Sequence, residues 1–290
     1  MGVRSPRYWV VGLGRVGSLI ARLVEGERTL AGIAVKDAAD LERARRLSDA
    51  SVTIHALPDA VDDGVTVLLC VPDGALASAA FQWRKCGARS FVHFSGALGT
   101  MELQERLGGD VSVAGLHPLL SVSTHDMSPA DARGVTFGLS GDGPARAEAL
   151  RLAELLGGHV VEVDESARAA WHLAATIASN GVYALLNVAT QIAASAGITG
   201  FDVERGLASL AAQSAQAAAR HGAVEGATGP VVRGDASTVD RHLRVLEQMP
   251  DARALYTELT RALIEVAEMR GTSDQALVAI RALIESYARR

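Results

Sequence analysis

"YWVVGLGRVGSLIARLVEG", residues 8–26, is the stretch that decides the fold of this chain. An apolar run typical of a buried strand leads into a turn that contains Gly12, Gly14 and Gly17, and a helical pattern follows directly. This Gly-x-Gly-x-x-Gly spacing between a strand and a helix indicates a dinucleotide-binding turn. Gly12 permits the tight turn, Gly14 lets the backbone approach a pyrophosphate, and Gly17 allows close helix–strand packing. The alternative is a glycine-rich turn that binds nothing. The predicted cofactor-binding residues of this turn are Gly12, Leu13, Gly14, Arg15, Val16 and Gly17.

Strand and helix patterns alternate through the first half of the chain. This alternation predicts an α/β Rossmann-type doubly wound sheet. After about Asp164 the pattern is helical, so we predict a dinucleotide-binding domain over 1–164 and an all-helical substrate and dimerisation domain over 165–290. The predicted strands are 8–14, 30–35, 64–71, 90–96, 111–117, 134–141 and 159–164, and the predicted helices of the second domain are 165–195, 201–221, 237–249, 251–270 and 273–288.

The composition argues against several classes of function. The 290 residues are 49% hydrophobic and carry a net charge of −5, with both signs spread along the chain. Neither a basic nucleic-acid patch nor a polybasic membrane arm is expected. Cys70 and Cys86 are the only cysteines, so we expect no disulfide framework and no metal site. These features, with no recognisable signal peptide, predict a reduced, cytoplasmic protein.

One segment, 169–201, has no formally charged residue and is long enough to span a bilayer. It contains His172, Asn180, Asn187 and Gln191, which are costly in lipid and ordinary in a helix that packs against protein. We therefore predict a helix of a soluble protein here and no membrane span.

The end of the second predicted strand bears on the choice of cofactor. NAD enzymes usually hold the ribose hydroxyls with an acidic residue at this position. Here the strand ends in "AVKD", so Lys36 and Asp37 compete, and arginines follow at 43, 45 and 46. Lys36 with one of these arginines favours the 2′-phosphate of NADP, and NAD is the less favoured cofactor. The alternative is that these cations form the solvated face of the next helix.

Three further strands end in turns that carry candidate site residues. Carboxyl ends of parallel strands line the crevice where ligands bind. Val71 and Pro72 are expected to flank a ribose of the cofactor, and Ser95 and Gly96 to lie near the nicotinamide. His117, in "GLHPLLS", either binds substrate or is a histidine of an ordinary turn.

A polar line runs along the uncharged helix. Helical spacing places His172, Thr176, Ser179 and Asn180 on one face. Polar groups in apolar surroundings need partners, because an unsatisfied buried group costs free energy. This face of the helix therefore either lies opposite the nicotinamide or makes ordinary helix–helix hydrogen bonds.

The segment "TGPVVRGD", 228–235, interrupts the helices of the second half. Gly229 and Pro230 turn the chain, which offers the Arg233 guanidinium to a substrate carboxylate as a bidentate partner. Asp235 would orient Arg233 or His172, or hold a substrate hydroxyl. The rival interpretation is a structural clamp between Arg233 and Asp235 without a ligand.

Taken in order, "GLGRVG", "VPD", "HFSGALG", "LHPL", "WHLAATIASN" and "TGPVVRGDASTVDRHL" resemble a family of bacterial proteins that join a Rossmann-like domain to a helical domain of unknown function. The family looks like a branch of the 6-phosphogluconate-dehydrogenase-like reductases, alongside ketopantoate reductase and prephenate dehydrogenase. Some members are understood to serve as alternative ketopantoate reductases in pantothenate synthesis, and others carry labels for deazaflavin-dependent NADP reduction. The resemblance implies catalytic side chains on the first long helix, and superfamily relatives often pair through their helical domains.

One departure from that superfamily affects the catalytic assignment. Ketopantoate reductases use a lysine on the first long helix, whereas Lys36 and Lys85 are the only lysines of this chain. The proton-transferring position therefore falls to His172 by elimination, with Asn180 and Ser179 as polar companions. Histidine suits this role because imidazole gains and loses protons near neutral pH.

The resulting hypothesis is an NADP-dependent reductase of a small 2-oxo acid, with ketopantoate as the first candidate, that forms a homodimer. His172, Asn180 and Asp235 are the predicted catalytic residues, while His117, Ser179 and Arg233 are predicted to bind the carboxylate substrate. The alternatives are a dehydrogenase of another hydroxy or cyclic acid, a deazaflavin-dependent NADP reductase, and a nucleotide-sensing module without turnover.

Overall fold

The computed structural model describes residues 7–48, 51–54 and 57–289. It divides into two compact units, Met1–Ile177 and Ala178–Arg290, and each is described by itself. The division falls inside the first long helix, whereas the predicted boundary at Asp164 lies just after the last strand. The extent of each independently folding domain stays a prediction.

One sheet of eight strands forms the centre of the first unit, in the order β3-β2-β1-β4-β5-β6-β7-β8. The neighbouring strands run parallel, except that β6 and β7 are antiparallel. This arrangement confirms the Rossmann-type fold that the glycine turn predicts. The strands are β1 (Arg7–Val11), β2 (Leu30–Val35), β3 (Ser51–Ile54), β4 (Val65–Leu69), β5 (Ser90–His93), β6 (Ser112–Pro118), β7 (Thr136–Gly141) and β8 (His159–Glu162).

The sheet corrects the sequence prediction in two places. The edge strand β3 was missed, because a four-residue strand is too short to show a period. The sequence did not predict that β7 would reverse direction. A parallel connection needs a long crossover, usually a helix. The segment 119–135 contains only the 3-10 turn Pro129–Ala132, and the antiparallel pairing of β6 with β7 is the arrangement that such a connection permits.

Helices cover both faces of the sheet, so its central strands are buried on both sides, whereas the edge strand β8 is exposed along its length. Alternate residues of β1 show this directly, because Tyr8 and Val10 belong to one apolar cluster and Trp9 and Val11 to the other. All five residues of β4 are buried, as expected for a near-continuous apolar run in a sheet covered on both faces. The helices are α1 (Arg15–Gly26), α2 (Ala38–Leu47), α3 (Asp73–Lys85), α4 (Met101–Leu107) and α5 (Gly143–Leu155).

The described part of the chain beyond β8 is helical, as predicted. A core of residues such as Val239, Leu243, Ile264 and Ile280 joins α8, α9 and α10. By contrast, α6 buries only Arg168, and α7 buries no residue. By length and composition alone, the helical stretch Glu165–Ser195 would suffice to cross a membrane. The helices are α6 (Arg168–Ser195), α7 (Phe201–His221), α8 (Ala236–Val245), α9 (Pro250–Met269) and α10 (Asp274–Ala288).

Candidate active site

The turn after β1 has the backbone geometry that its glycine spacing predicts. Gly12 has φ +91°, and a Cβ atom there would lie 2.8 Å from the Cys70 carbonyl oxygen. A Cβ atom on Gly17 would lie 2.1 Å from the Gly12 oxygen, so α1 packs directly on the turn. At Gly14, which precedes α1, a Cβ atom would meet no atom within 4 Å, and no side chain caps the helix. The first-turn N–H groups of α1 are therefore left for an anion such as a pyrophosphate.

A crevice runs along the carboxyl ends of the strands from β2 to β5. Its first part, about 660 Å³, extends from Gly12 and Gly14 to Lys36 and Pro72. Its second part, about 490 Å³, shares Gly14 and Pro72 and continues to Ser95. Together the two parts are large enough for a dinucleotide. The predicted residues that line one part or both are Gly12, Leu13, Gly14, Arg15, Val16, Lys36, Val71, Pro72 and Ser95.

The two residues that compete at the end of β2 have different environments. The Asp37 carboxylate accepts a hydrogen bond of 2.8 Å from the Asp40 N–H and caps α2. Lys36 is exposed at the crevice and makes no ion pair with any other described residue. Among the nearby arginines, Arg43 donates to the Leu13 carbonyl at 2.9 Å. Lys36 is therefore a cation at the end of β2 that is available to meet a 2′-phosphate.

Two imidazoles lie against the turn that follows β5. A Cβ atom on Gly96 would lie 2.7 Å from His117 Nε2 and 2.6 Å from His172 Cδ2, so both rings contact the space that glycine leaves open. The two rings meet edge to face, with centroids 5.8 Å apart. His117 comes from β6 and His172 from the first turns of α6, so residues far apart in sequence meet at the end of β5 beside Ser95.

A buried guanidinium holds the start of α6 onto the sheet. Arg168 is 1% exposed, and it donates to Ser140 Oγ at 2.7 Å and to the Ser95 carbonyl at 2.6 Å. Burial lowers its pKa. Just before this helix, Glu165 accepts hydrogen bonds from the N–H and the hydroxyl of Thr100, at 2.8 and 2.6 Å. These contacts fix the position of His172, which lies one helical turn after Arg168.

Two histidines near Arg168, His93 and His117, are held neutral. Burial lowers the pKa of His93 to about 3, and the charges of Arg168 and His117 act in the same direction. Burial also lowers the pKa of His117 to about 4, with contributions from His172 and Arg168. His93 is 1% exposed, and neither of its ring nitrogens has a hydrogen-bond partner among the described residues.

Three residues of this cluster were not predicted from the sequence: His93, Arg168 and Trp171. The Trp171 indole donates a hydrogen bond of 2.9 Å to His117 Nδ1. A signal for two of them was present, because Arg168 is the last charged residue before the uncharged segment and Trp171 adjoins His172. Nothing local to the sequence marks His93, which resembles any other buried residue of β5.

The remaining predicted residues belong to the second unit. On α6, Ser179 is half-buried and Asn180 is exposed. The Asp235 carboxylate caps α8, because it accepts from the Thr238 N–H at 3.0 Å and from the hydroxyls of Thr238 and Ser237. These hydrogen bonds lower the pKa of Asp235. The Asp235 carboxylate therefore caps α8, and its catalytic role stays a prediction.

Arg233 lies in the turn before α8 and is exposed. It lines a cavity of about 330 Å³ within the second unit, together with Gly229 and Arg270. Arg270 pairs with Glu225 at 3.1 Å, whereas Arg233 makes no ion pair with another described side chain. The clamp between Arg233 and Asp235 that was the rival interpretation is absent from this part of the chain. The shared site of Arg233 and His172 stays a prediction.

Comparison with known proteins agrees with the fold. A domain family of unknown function, DUF2520, matches residues 135–263. A protein from Thermotoga maritima is 26% identical, with a TM-score of 0.71, over 91% of this chain and 99% of its own. A provisionally named NADP oxidoreductase from Bacteroides fragilis is 19% identical, with a TM-score of 0.67, over 90% of this chain and 98% of its own. A reductive aminase from Aspergillus terreus, solved with NADPH and ethyl-5-oxohexanoate, is 18% identical, with a TM-score of 0.53, over 98% of this chain and 94% of its own. No curated protein sequence matches.

Proposed function

We propose that this chain is an NADP-dependent oxidoreductase that reduces a small 2-oxo acid, with ketopantoate as the first candidate. One observation carries the proposal. The crevice that begins at the glycine turn of α1 ends beside Ser95 and Gly96, where His117 and His172 meet. A nicotinamide cofactor bound along this crevice would present its reactive ring to two imidazoles. The Bacteroides and Aspergillus proteins with this fold, one named as an NADP oxidoreductase and the other solved with NADPH, support the choice of cofactor.

In such a reduction, the site residues of the chain have separate roles. When bound, NADPH supplies a hydride to the carbonyl carbon of the substrate. His172 gives a proton to the oxygen that becomes a hydroxyl, and solvent reloads its imidazole. His117 holds the same oxygen. In this proposal Arg233 binds the substrate carboxylate through its free guanidinium, and Ser179 and Asn180 assist from α6.

The test of this function is the oxidation of NADPH in the presence of a panel of 2-oxo acids, with NADH in parallel. Each acid is paired with its methyl ester, which keeps the carbonyl group and removes the carboxylate charge. We expect NADPH oxidation with at least one acid and much slower oxidation with its ester. Thermal stabilisation by NADPH without turnover of any acid would favour the nucleotide-sensing alternative. If NADPH neither stabilises the protein nor is oxidised with any acid, the proposal is contradicted altogether.

The choice of NADP leads to a prediction at the end of β2. Lys36→Glu removes the free cation that faces the crevice and places a negative charge near the 2′-phosphate. We expect the Kd for NADPH to rise by about tenfold or more, since two like charges near a protein surface repel by a few kcal/mol. The Kd for NADH should change little.

The control for this variant is Lys85→Glu, the same substitution at the other lysine of the chain. Lys85 lies over the Phe81 ring at the end of α3, outside the crevice. Titration of the fluorescence of the parent and of both variants with each cofactor gives the six Kd values. Equal effects of Lys36→Glu on NADPH and NADH would contradict 2′-phosphate recognition.

The exposed apolar side chains of α6 and α7 lead us to propose a homodimer. Leu173, Ile177 and Tyr183 are 59%, 66% and 65% exposed, and Phe201 and Leu210 are 74% and 60% exposed. Apolar surface on this scale usually marks an interface. A second copy is the partner we propose, because the exposed apolar residues of α6 lie in a segment, 169–195, without a formal charge that would select another protein. We propose in addition that the protein is soluble and cytoplasmic, in line with its composition.

Light scattering at micromolar concentration should give a particle of twice 30.2 kDa. Ile177→Glu on this face should yield monomer, whereas Val278→Glu, at an exposed position of α10, should leave the dimer intact. A monomeric parent would contradict the proposal, and recovery of the parent in lipid vesicles would support the membrane span that we argue against.

A further inference from the structure

The hydrogen bond between Trp171 and His117 determines which ring nitrogen of His117 carries the proton. An indole N–H donates and never accepts. Because Trp171 Nε1 lies 2.9 Å from His117 Nδ1, the imidazole nitrogen at that position must present a lone pair. A neutral imidazole with a lone pair on Nδ1 carries its proton on Nε2.

The sheet leaves room for this hydrogen bond. Gly138 of β7 is the residue paired with His117 across the antiparallel ladder. A Cβ atom on Gly138 would lie 2.7 Å from the Trp171 Nε1 atom. The half-buried indole therefore occupies the space that a side chain on β7 would fill, and this packing holds its N–H at the edge of the His117 ring.

The protonated nitrogen faces the candidate site. Nε2 is the His117 atom nearest to a Cβ atom built on Gly96, at 2.7 Å, beside the His172 ring. No hydrogen bond joins Nε2 to another residue in the described ranges. An unengaged N–H donor at this position suits an oxygen atom of a substrate that lies over Gly96.

The charges around His117 preserve this state. Burial and the neighbouring His172 and Arg168 lower the pKa of His117 to about 4, while Asp73 acts in the opposite direction. The carboxylates of Glu165 and Asp73 act to raise the pKa of Arg168. The charge of Arg168 still lowers the pKa of His117 in their presence. The His117 ring therefore stays neutral through the pH range in which an enzyme ordinarily works.

We propose that Trp171 is a positioning residue that fixes the Nε2–H tautomer of His117, so that His117 donates a neutral hydrogen bond to the carbonyl or hydroxyl oxygen of the substrate. His117 then keeps its proton throughout the reaction, and proton exchange is left to His172. The proposal rests on the proposed reductase function for its chemical purpose, whereas the tautomer itself does not depend on any activity.

The first test is the nitrogen NMR spectrum of protein labelled with ¹⁵N-histidine, in which the His117 signals are identified by their loss in His117→Gln. We expect the parent to show one tautomer, with the proton on Nε2, between pH 5.5 and 8.5. Trp171→Phe keeps an aromatic ring and removes the N–H, so we expect a mixture of tautomers. A parent with its proton on Nδ1, or a Trp171→Phe spectrum that equals the parent spectrum, would overturn the proposal. The parent spectrum decides the tautomer of His117 even if the variant does not fold, since a proton on Nδ1 is incompatible with the hydrogen bond from Trp171.

The control is Trp9→Phe, which removes an indole N–H from the apolar cluster on the sheet and leaves the His117 tautomer unchanged. Because these spectra need no substrate, a failure of the reductase function leaves the tautomer test intact.

The second test is a double-mutant cycle on turnover with an active 2-oxo acid. Trp171→Phe should lower kcat by about 10- to 100-fold, less than the ~10²–10³ lost when an oxyanion donor is removed altogether. In His117→Gln the amide donates without help from an indole, so adding Trp171→Phe should have little further effect. Equal effects of Trp171→Phe in both backgrounds would show that Trp171 acts only through packing and would overturn its positioning role.

Discussion

His172→Ala is expected to lower kcat by about 10²–10⁴, the usual contribution of a general acid or base. The His172 ring lies against Gly96 and 5.8 Å from the His117 ring, at the end of the cofactor crevice. Of the two imidazoles at this place, His117 is held neutral by its surroundings, and His172 is exposed to the solvent that reloads it. The helical part of the chain has no lysine that would take over the proton.

Steady-state kinetics with NADPH and an active 2-oxo acid measure this effect. The Kd for NADPH should stay within about twofold of the parent value, because the crevice residues are unchanged. His221→Ala, at an exposed position in the last turn of α7, is the matched control and should retain the parent kcat. A His172→Ala variant with parental kcat would show that another group supplies the proton.

Gly14→Asp is expected to weaken NADPH binding by at least about 100-fold while the protein stays folded. A side chain fits at this position in the free protein, since no atom lies within 4 Å of the Cβ position. When the cofactor binds, the same space is needed for the pyrophosphate. Two like charges about 4 Å apart near a protein surface repel by roughly 4 kcal/mol, and the carboxylate also occupies the anion site at the start of α1.

Isothermal titration with NADPH measures the loss, and circular dichroism with thermal unfolding checks the fold. Gly26→Asp is the matched control, because Gly26 ends the same helix and also has no atom within 4 Å of its Cβ position. Gly17→Ala should behave differently from both. Its Cβ atom would lie 2.1 Å from the Gly12 oxygen, so this variant should lose stability even without cofactor. Parental affinity in folded Gly14→Asp would place the cofactor site elsewhere.

The glycine turn and the strands around it were predictable because their causes are local. A near-continuous apolar run such as Val65–Leu69, in which Thr66 is the one polar residue, marks a strand that is buried on both faces. The three glycines of the turn are required by a positive φ at Gly12, an open approach at Gly14 and a close contact at Gly17. Each of these requirements arises between residues that are only a few positions apart, so the spacing of the glycines is enough to predict it.

The candidate site was only partly predictable. The sequence singled out His117 and His172, but it offered for each an ordinary structural alternative. It assigned Asp235 to catalysis, although an Asp three residues before a Thr at the start of a helix is also a standard N-cap. The structure shows the capping hydrogen bonds of the Asp235 carboxylate, which are made within its own helix, and a part in catalysis stays a prediction.

The sequence by itself determined the alternation of strands and helices in the first half, the glycine turn and the helical character of the second half, because periodicity and turn chemistry are properties of neighbouring residues. Only the tertiary structure decided that β7 runs against β6, that Arg168 reaches Ser95 and Ser140, and that Trp171 donates to His117. These contacts join residues that lie 28 to 73 positions apart in the three hydrogen bonds concerned. Whether such partners meet depends on how the strands pair and how the helices pack on them, and no local pattern of residues encodes that outcome.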